Sequence, residues 1–121
     1  MKRIKARYYR TEAGNEPVKD WIKSLPKADM IIVGKDIGKV EFGWPIGMPV
    51  CRGLGKALWE VRSTIKDGKV EARTYFSIEG GTMLLLHGDD GKSGQDDAIK
   101  VARERLRLHN KRKKDEDDDD V

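Results

Sequence analysis

The amino-acid sequence predicts an α+β fold, an antiparallel β-sheet with helices packed on one face and elements in the order β-α-α-β-β-β-α. Three observations predict it. Residues 57–64 and 69–78 alternate apolar and polar side chains, and each run is followed by a glycine-containing turn. Residues 17–41 instead repeat apolar side chains at three- and four-residue intervals. A length of 121 residues suffices for one core and not for two ordinary domains.

Residues 3–10 (RIKARYYR) place Ile4, Ala6 and Tyr8 in alternation, which reads as a first strand. Thr11 to Asn15 then turns the chain, and Asn15 with Glu16-Pro17 opens a helix. An Asn or acidic side chain there accepts free N–H groups, and proline lacks only an N–H that would go unused. Val18, Trp21, Ile22 and Leu25 give this helix its apolar stripe, and Pro26 ends it near Ser24-Leu25. A second helix runs from about Pro26 to Glu41, with Met30, Val33, Ile37 and Val40 on one face. Gly34 and Gly38 are expected to admit close approach of a neighbour.

Phe42 to Gly55 carries four glycines and two prolines and reads as a loop. Strands follow at 57–64, 69–78 and 82–87, turned by Ile65–Gly68 and Glu79–Gly81 into an antiparallel meander. Asp96 or Asp97 caps a C-terminal helix marked by Ile99, Ala102, Leu106 and His109. The globular domain is placed at residues 1–110. Residues 111–121 form a charged tail with nothing to bury, expected to be disordered.

Composition narrows the function classes. No apolar run reaches the roughly 18 residues of a membrane span, so no membrane association is expected. The N-terminal MKRIKARYYRTEAG is basic but lacks the apolar stretch of a secretory signal, which points to the cytoplasm. Cys51 is the single cysteine, so no internal disulfide forms and no Cys/His set for zinc exists. The formal net charge of +4 conceals an asymmetry, because Lys111–Lys114 is followed by six acidic residues. Lys and Arg number 25 and the acids ahead of Asp115 number 15, so residues 1–114 carry +10. A body that basic attracts polyanions, nucleic acid first among them.

Strand parity then selects candidate residues. Ala57, Trp59 and Val61, with Val70, Ala72, Thr74, Phe76 and Ile78, are expected to meet the helices. Glu60, Arg62, Arg73 and Tyr75 are left on an open sheet face. His87 ends a strand that is apolar on both sides, so parity does not place it. Arginine offers a planar, permanent charge to a phosphate. Tyrosine stacks on a base or donates a proton, and histidine exchanges one near neutral pH. The plainer alternative is that Glu60–Arg62 and Glu71–Arg73 are ordinary ion pairs on a solvated face. Two motif matches fail: Gly91-Lys92-Ser93 lacks a phosphate loop's first glycine, Leu86 standing there, and Asp89, Asp90, Asp96 and Asp97 lack the order of a calcium loop.

The segments GNEPVKDWIKSLP, LGKALWEVRS, ARTYF and LLLHG are similar in order and spacing to the phage-derived HigB-like toxins of the RelE/ParE superfamily. The resemblance covers roughly residues 5–108. It implies a RelE-like fold, a type II toxin-antitoxin system with a helix-turn-helix antitoxin, and cleavage of mRNA in association with the ribosome. The arginine of the family's LWE-x-R element matches Arg62, that of its RxxF strand matches Arg73, and the histidine of its LLHGF element matches His87. These imply a catalytic set in which Arg73 meets transition-state charge, Arg62 positions the phosphate and His87 transfers a proton. Lys56, Lys92, Arg52 and Tyr75 complete the expected RNA contacts. No metal or cofactor is implied, because the nucleophile is the RNA's own 2′-hydroxyl. The chain departs from the family after His87, reading GDDGKSGQDD where a phenylalanine, paired lysines and a TQKTP-like stretch are usual. That departure motivates the alternative of a catalytically impaired module that binds only RNA or its antitoxin.

Overall fold

The computed structural model describes residues 1–92 and 94–119. In chain order the elements are β1 (Lys5–Tyr8), α1 (Pro17–Ser24), α2 (Lys27–Gly43), β2 (Cys51–Gly55), β3 (Leu58–Ile65), β4 (Val70–Glu79), β5 (Thr82–Asp89) and α3 (Gln95–Asp119). The α+β class stands, and β3–β4–β5 is the antiparallel meander that the alternation and glycine turns require. The sheet as a whole is mixed, in the order β1-β5-β4-β3-β2, with β1 parallel to β5. The expectation of a purely antiparallel sheet is corrected at this edge. The α1–α2 excursion separates β1 from the meander and lets it return beside β5.

The expectation of helices on one face is also corrected, because the sheet is covered on both. Val18 of α1, Leu25 just beyond it, and Val33, Ile37 and Val40 of α2 pack with Val61, Ile65, Ala72, Phe76, Met83 and Leu85. On the opposite face Ala98 and Ala102 of α3 pack with Tyr9, Leu58, Tyr75, Leu84 and Leu86. The apolar stretch MLLL in β5 thus feeds both cores alternately, as a strand covered on two sides must.

Two buried carboxylates lock α2 to the sheet. Glu41 accepts the Ala6 N–H at 2.9 Å while its own backbone oxygen accepts Arg3 N–H at 2.8 Å, securing β1. Asp29 accepts the Lys66 N–H at 3.2 Å, holding the turn between β3 and β4. Gly34 and Gly38 do not serve the close approach expected of them, since open space lies beyond both. The glycine that does is Gly88, where a Cβ would overlap the Trp21 ring of α1.

Three further boundaries differ from expectation. The glycine-rich 42–55 stretch contains an edge strand, β2, paired with β3 through a bulge at Gly53/Gly55. Glu16 precedes α1 without a side-chain cap, and Pro17 opens it. Helix α3 starts at Gln95, so Asp96 and Asp97 sit in its first turn rather than at the cap. It runs on to Asp119, so the residues expected to form a disordered tail from 111 are helical up to that point. Residues 120–121 of that tail, and Ser93 of the rejected phosphate-loop match, lie outside the described residues. No helix among the described residues is long and apolar enough to cross a membrane.

Candidate active site

Helix α3 covers only part of its face of the sheet, and the uncovered part holds the arginines. Glu60 is the hub: its side chain is 0% exposed, and three guanidinium Nε atoms approach it. Arg62 and Arg73 lie at 3.4 Å and Arg52 at 3.7 Å. The Gln95 amide, from the first turn of α3, adds a fourth contact at 3.5 Å. Register explains the convergence. Arg52 pairs opposite Glu60, and Arg62 opposite Arg73, so strands β2, β3 and β4 each bring a cation to one carboxylate. The exposed Glu71 carboxylate lies 3.7 Å from Arg62 and 3.9 Å from Arg73.

The face is less open than parity alone suggests. Arg62 and Arg73 side chains are 24% and 20% exposed, and Arg52 is 44% exposed, so all three present charge to solvent. Tyr75 is fully buried beneath them. This corrects its expected role, for a phenol packed under α3 cannot stack on an incoming base. Burial first, and the Glu60 charge second, push its hydroxyl up to about 12, and the buried oxygen has no hydrogen-bond partner. Tyr75 therefore stays protonated and acts as a floor. Cys51 on β2 is likewise inert, its thiol pushed up to about 11 by burial and by Glu60.

A bulge places His87. Phe76 pairs with Leu85 but Tyr75 pairs with His87, so Leu86 is an extra residue in β5. The extra residue resets the alternation and puts the imidazole beside Tyr75, nearly parallel to it at 6.1 Å between ring centres. Arg105 of α3 reaches His87 Nδ1 at 3.0 Å and donates to the Leu86 carbonyl at 2.8 Å. A guanidinium has only donors, so Nδ1 accepts and the ring proton resides on Nε2. Burial and then the Arg105 charge lower the His87 pKa, against the opposing pull of Asp89. The ring is neutral near pH 7 and offers a donor at Nε2.

Of the residues selected from sequence, Arg52, Arg62 and Arg73 come together, with Tyr75 and His87 adjoining them through β4 and β5. Lys56 does not join them. It occupies the turn between β2 and β3, at positive φ. Lys92 pairs with Asp90 at 3.7 Å rather than with the arginine cluster. It lines a cleft of about 250 Å³ with Trp21, Ser24, His87, Gly88, Asp89 and Asp90.

Sequence reasoning missed the hub character of Glu60, the Arg105 contact, Gln95 and the buried Asp89. Only Glu60 left a trace, as the carboxylate at the centre of E-x-R on a strand. Among the described residues no group of three or more His, Cys, Asp or Glu side chains is arranged to hold a metal ion. No family model matches the chain, and no curated protein matches it.

Proposed function

We propose that this chain is a RelE-like toxin of a type II toxin-antitoxin system, an endoribonuclease that cleaves mRNA on the ribosome. The observation that carries the reading is the convergence of three part-exposed arginines on one sheet patch, anchored from below by Glu60 and flanked by a neutral histidine. Their Nε edges face Glu60, which orients the planar groups; Arg62 Nη2 also donates to Glu60 at 3.5 Å, and Arg73 Nη2 lies 3.9 Å from Glu71. A phosphodiester seated there would have its developing charge met by Arg73 and its position set by Arg62 and Arg52. The 2′-oxygen attacks the adjacent phosphorus as the P–O5′ bond breaks, leaving a 2′,3′-cyclic phosphate and a 5′-hydroxyl. The 2′-hydroxyl proton leaves to water, the departing 5′-oxygen regains one from water, and the His87 Nε2–H hydrogen-bonds that departing oxygen while the ring stays neutral. The nucleophile belongs to the RNA, so the reaction as drawn uses no metal or organic cofactor. A cytoplasmic setting and a helix-turn-helix antitoxin follow from the same resemblance in sequence.

A second reading is favoured by the acids around the site. Glu60, Glu71 and Asp89 offset the three arginines, and Asp90 pairs with Lys92 in the loop where the toxin family is basic. On this reading the chain binds RNA or its antitoxin and cleaves nothing. Induced expression with growth and mRNA ends followed together separates the two. The nuclease reading expects arrest with new 5′-hydroxyl ends in the wild type and neither in Arg73→Ala. Salt-sensitive RNA binding without new ends, ribosomes being present, would establish the second.

A further inference from the structure

The cations at the arginine cluster are compensated by a buried carboxylate; those at the other end of α3 are not. There a cleft of about 310 Å³ lies between edge strand β1 and the helix, lined by Arg7, Tyr9, Arg10, Thr82, His109 and Arg112 among others. Among the described residues none of its three arginines forms an ion pair with a carboxylate. Glu79, which also borders the cleft, is taken by Lys113 at 3.0 Å and His109 at 3.3 Å. Glu12 and Asp115 line an adjoining depression with Arg112, beyond ion-pair distance. Arg112 is held in place, donating to the Tyr9 hydroxyl at 2.8 Å and lying over its ring at 5.2 Å.

We infer that this β1–α3 cleft is a second nucleic-acid site, binding the phosphate backbone of single-stranded RNA. The chemistry fits that ligand. Guanidiniums without counter-charges release condensed counterions when a phosphate replaces solvent, which is the main source of affinity for a nucleic-acid backbone. The half-exposed Tyr8 at the same edge offers a face for an unpaired base. Gln95 and Arg112 are 17 residues apart, so the cleft and the arginine cluster are separated by about 25 Å along α3. A strand crossing both would be gripped at the cleft and presented at the cluster.

The test is fluorescence anisotropy of a labelled oligouridine across a salt series, with the whole chain and its Arg7→Gln/Arg10→Gln variant. Both side chains are exposed, and a matching thermal midpoint confirms that the variant folds. Loss of two phosphate contacts lowers the log–log salt slope by about 1.4 and weakens binding about tenfold at physiological salt. An unchanged slope in the double variant overturns the inference, as does wild-type binding that is insensitive to salt. The readout is binding alone, so it stands whether or not the chain cleaves RNA.

Discussion

At the scale of single residues, the candidate site is governed by one buried carboxylate. Glu60 has no exposed surface, and its charge is tolerable only because Arg52, Arg62 and Arg73 surround it. Glu60→Gln leaves three cations facing a neutral amide. It is expected to cost about 3 kcal/mol, read as a lowered urea midpoint at unchanged slope, since breaking a buried pair exposes the uncompensated partner. His87 gives the pH prediction. Its folded pKa lies below the ordinary histidine value of 6.5 because burial and Arg105 disfavour the charged ring. The unfolded chain therefore takes up the proton first. Stability associated with the neutral ring is complete above about pH 6.5 and declines as the pH falls through and below that value. A thermal midpoint that drops between pH 7 and pH 5 in the wild type, and drops less in His87→Gln, is the expected result.

At the scale of elements, glycines separate what tertiary packing requires from what it tolerates. Gly88→Ala should lower stability by several kcal/mol or prevent folding, because α1 presses the Trp21 ring onto the β5 backbone there. Gly34→Ala, on an open face of α2, should raise stability by about 0.5–1 kcal/mol through helix propensity alone. Chemical denaturation of both variants checks the pair. The same contrast shows why some elements were legible in sequence and others not. The helix stripes Val18–Leu25 and Val33–Val40 and the alternation in β3 and β4 are local patterns, and they were read correctly. Strand β2 was hidden because Gly53 and Gly55 follow the partner strand and a bulge, not local propensity. The parallel β1–β5 pairing and the placement of α3 on the far face are long-range choices with no local signature. Arg62 and Arg73 could be selected by parity, but the extra residue Leu86 that turns His87 toward Tyr75 could not. Nor could the burial of Tyr75, which depends on where α3 lies.

At the scale of the whole molecule, charge is distributed in blocks. The body through residue 114 carries +10, and Asp115 to Asp119 follow it on helix α3, whose core contacts among the described residues end at Leu106. Removing residues 115–121 takes away side chains that are exposed at positions 115–117. It should leave the thermal midpoint within about 2 °C, since surface changes rarely exceed 0.5 kcal/mol. It should also tighten RNA binding at low salt, by raising the net charge seen by a polyanion. Anisotropy and calorimetry on the shortened chain check both halves. The acidic block is too far along α3 to meet the arginine cluster of its own molecule, with Gln95 and Asp115 about 30 Å apart on the helix.

The proposed nuclease would cleave RNA at the arginine cluster. Its most direct test is a translation reaction on purified ribosomes, with mRNA ends mapped after addition of wild-type protein or Arg73→Ala. New 5′-hydroxyl ends are expected with the wild type and at least a hundredfold fewer with the variant, the scale expected when one donor to developing charge is removed. Equal cleavage by both proteins, or no new ends with a wild-type protein that is folded and binds RNA, would contradict it.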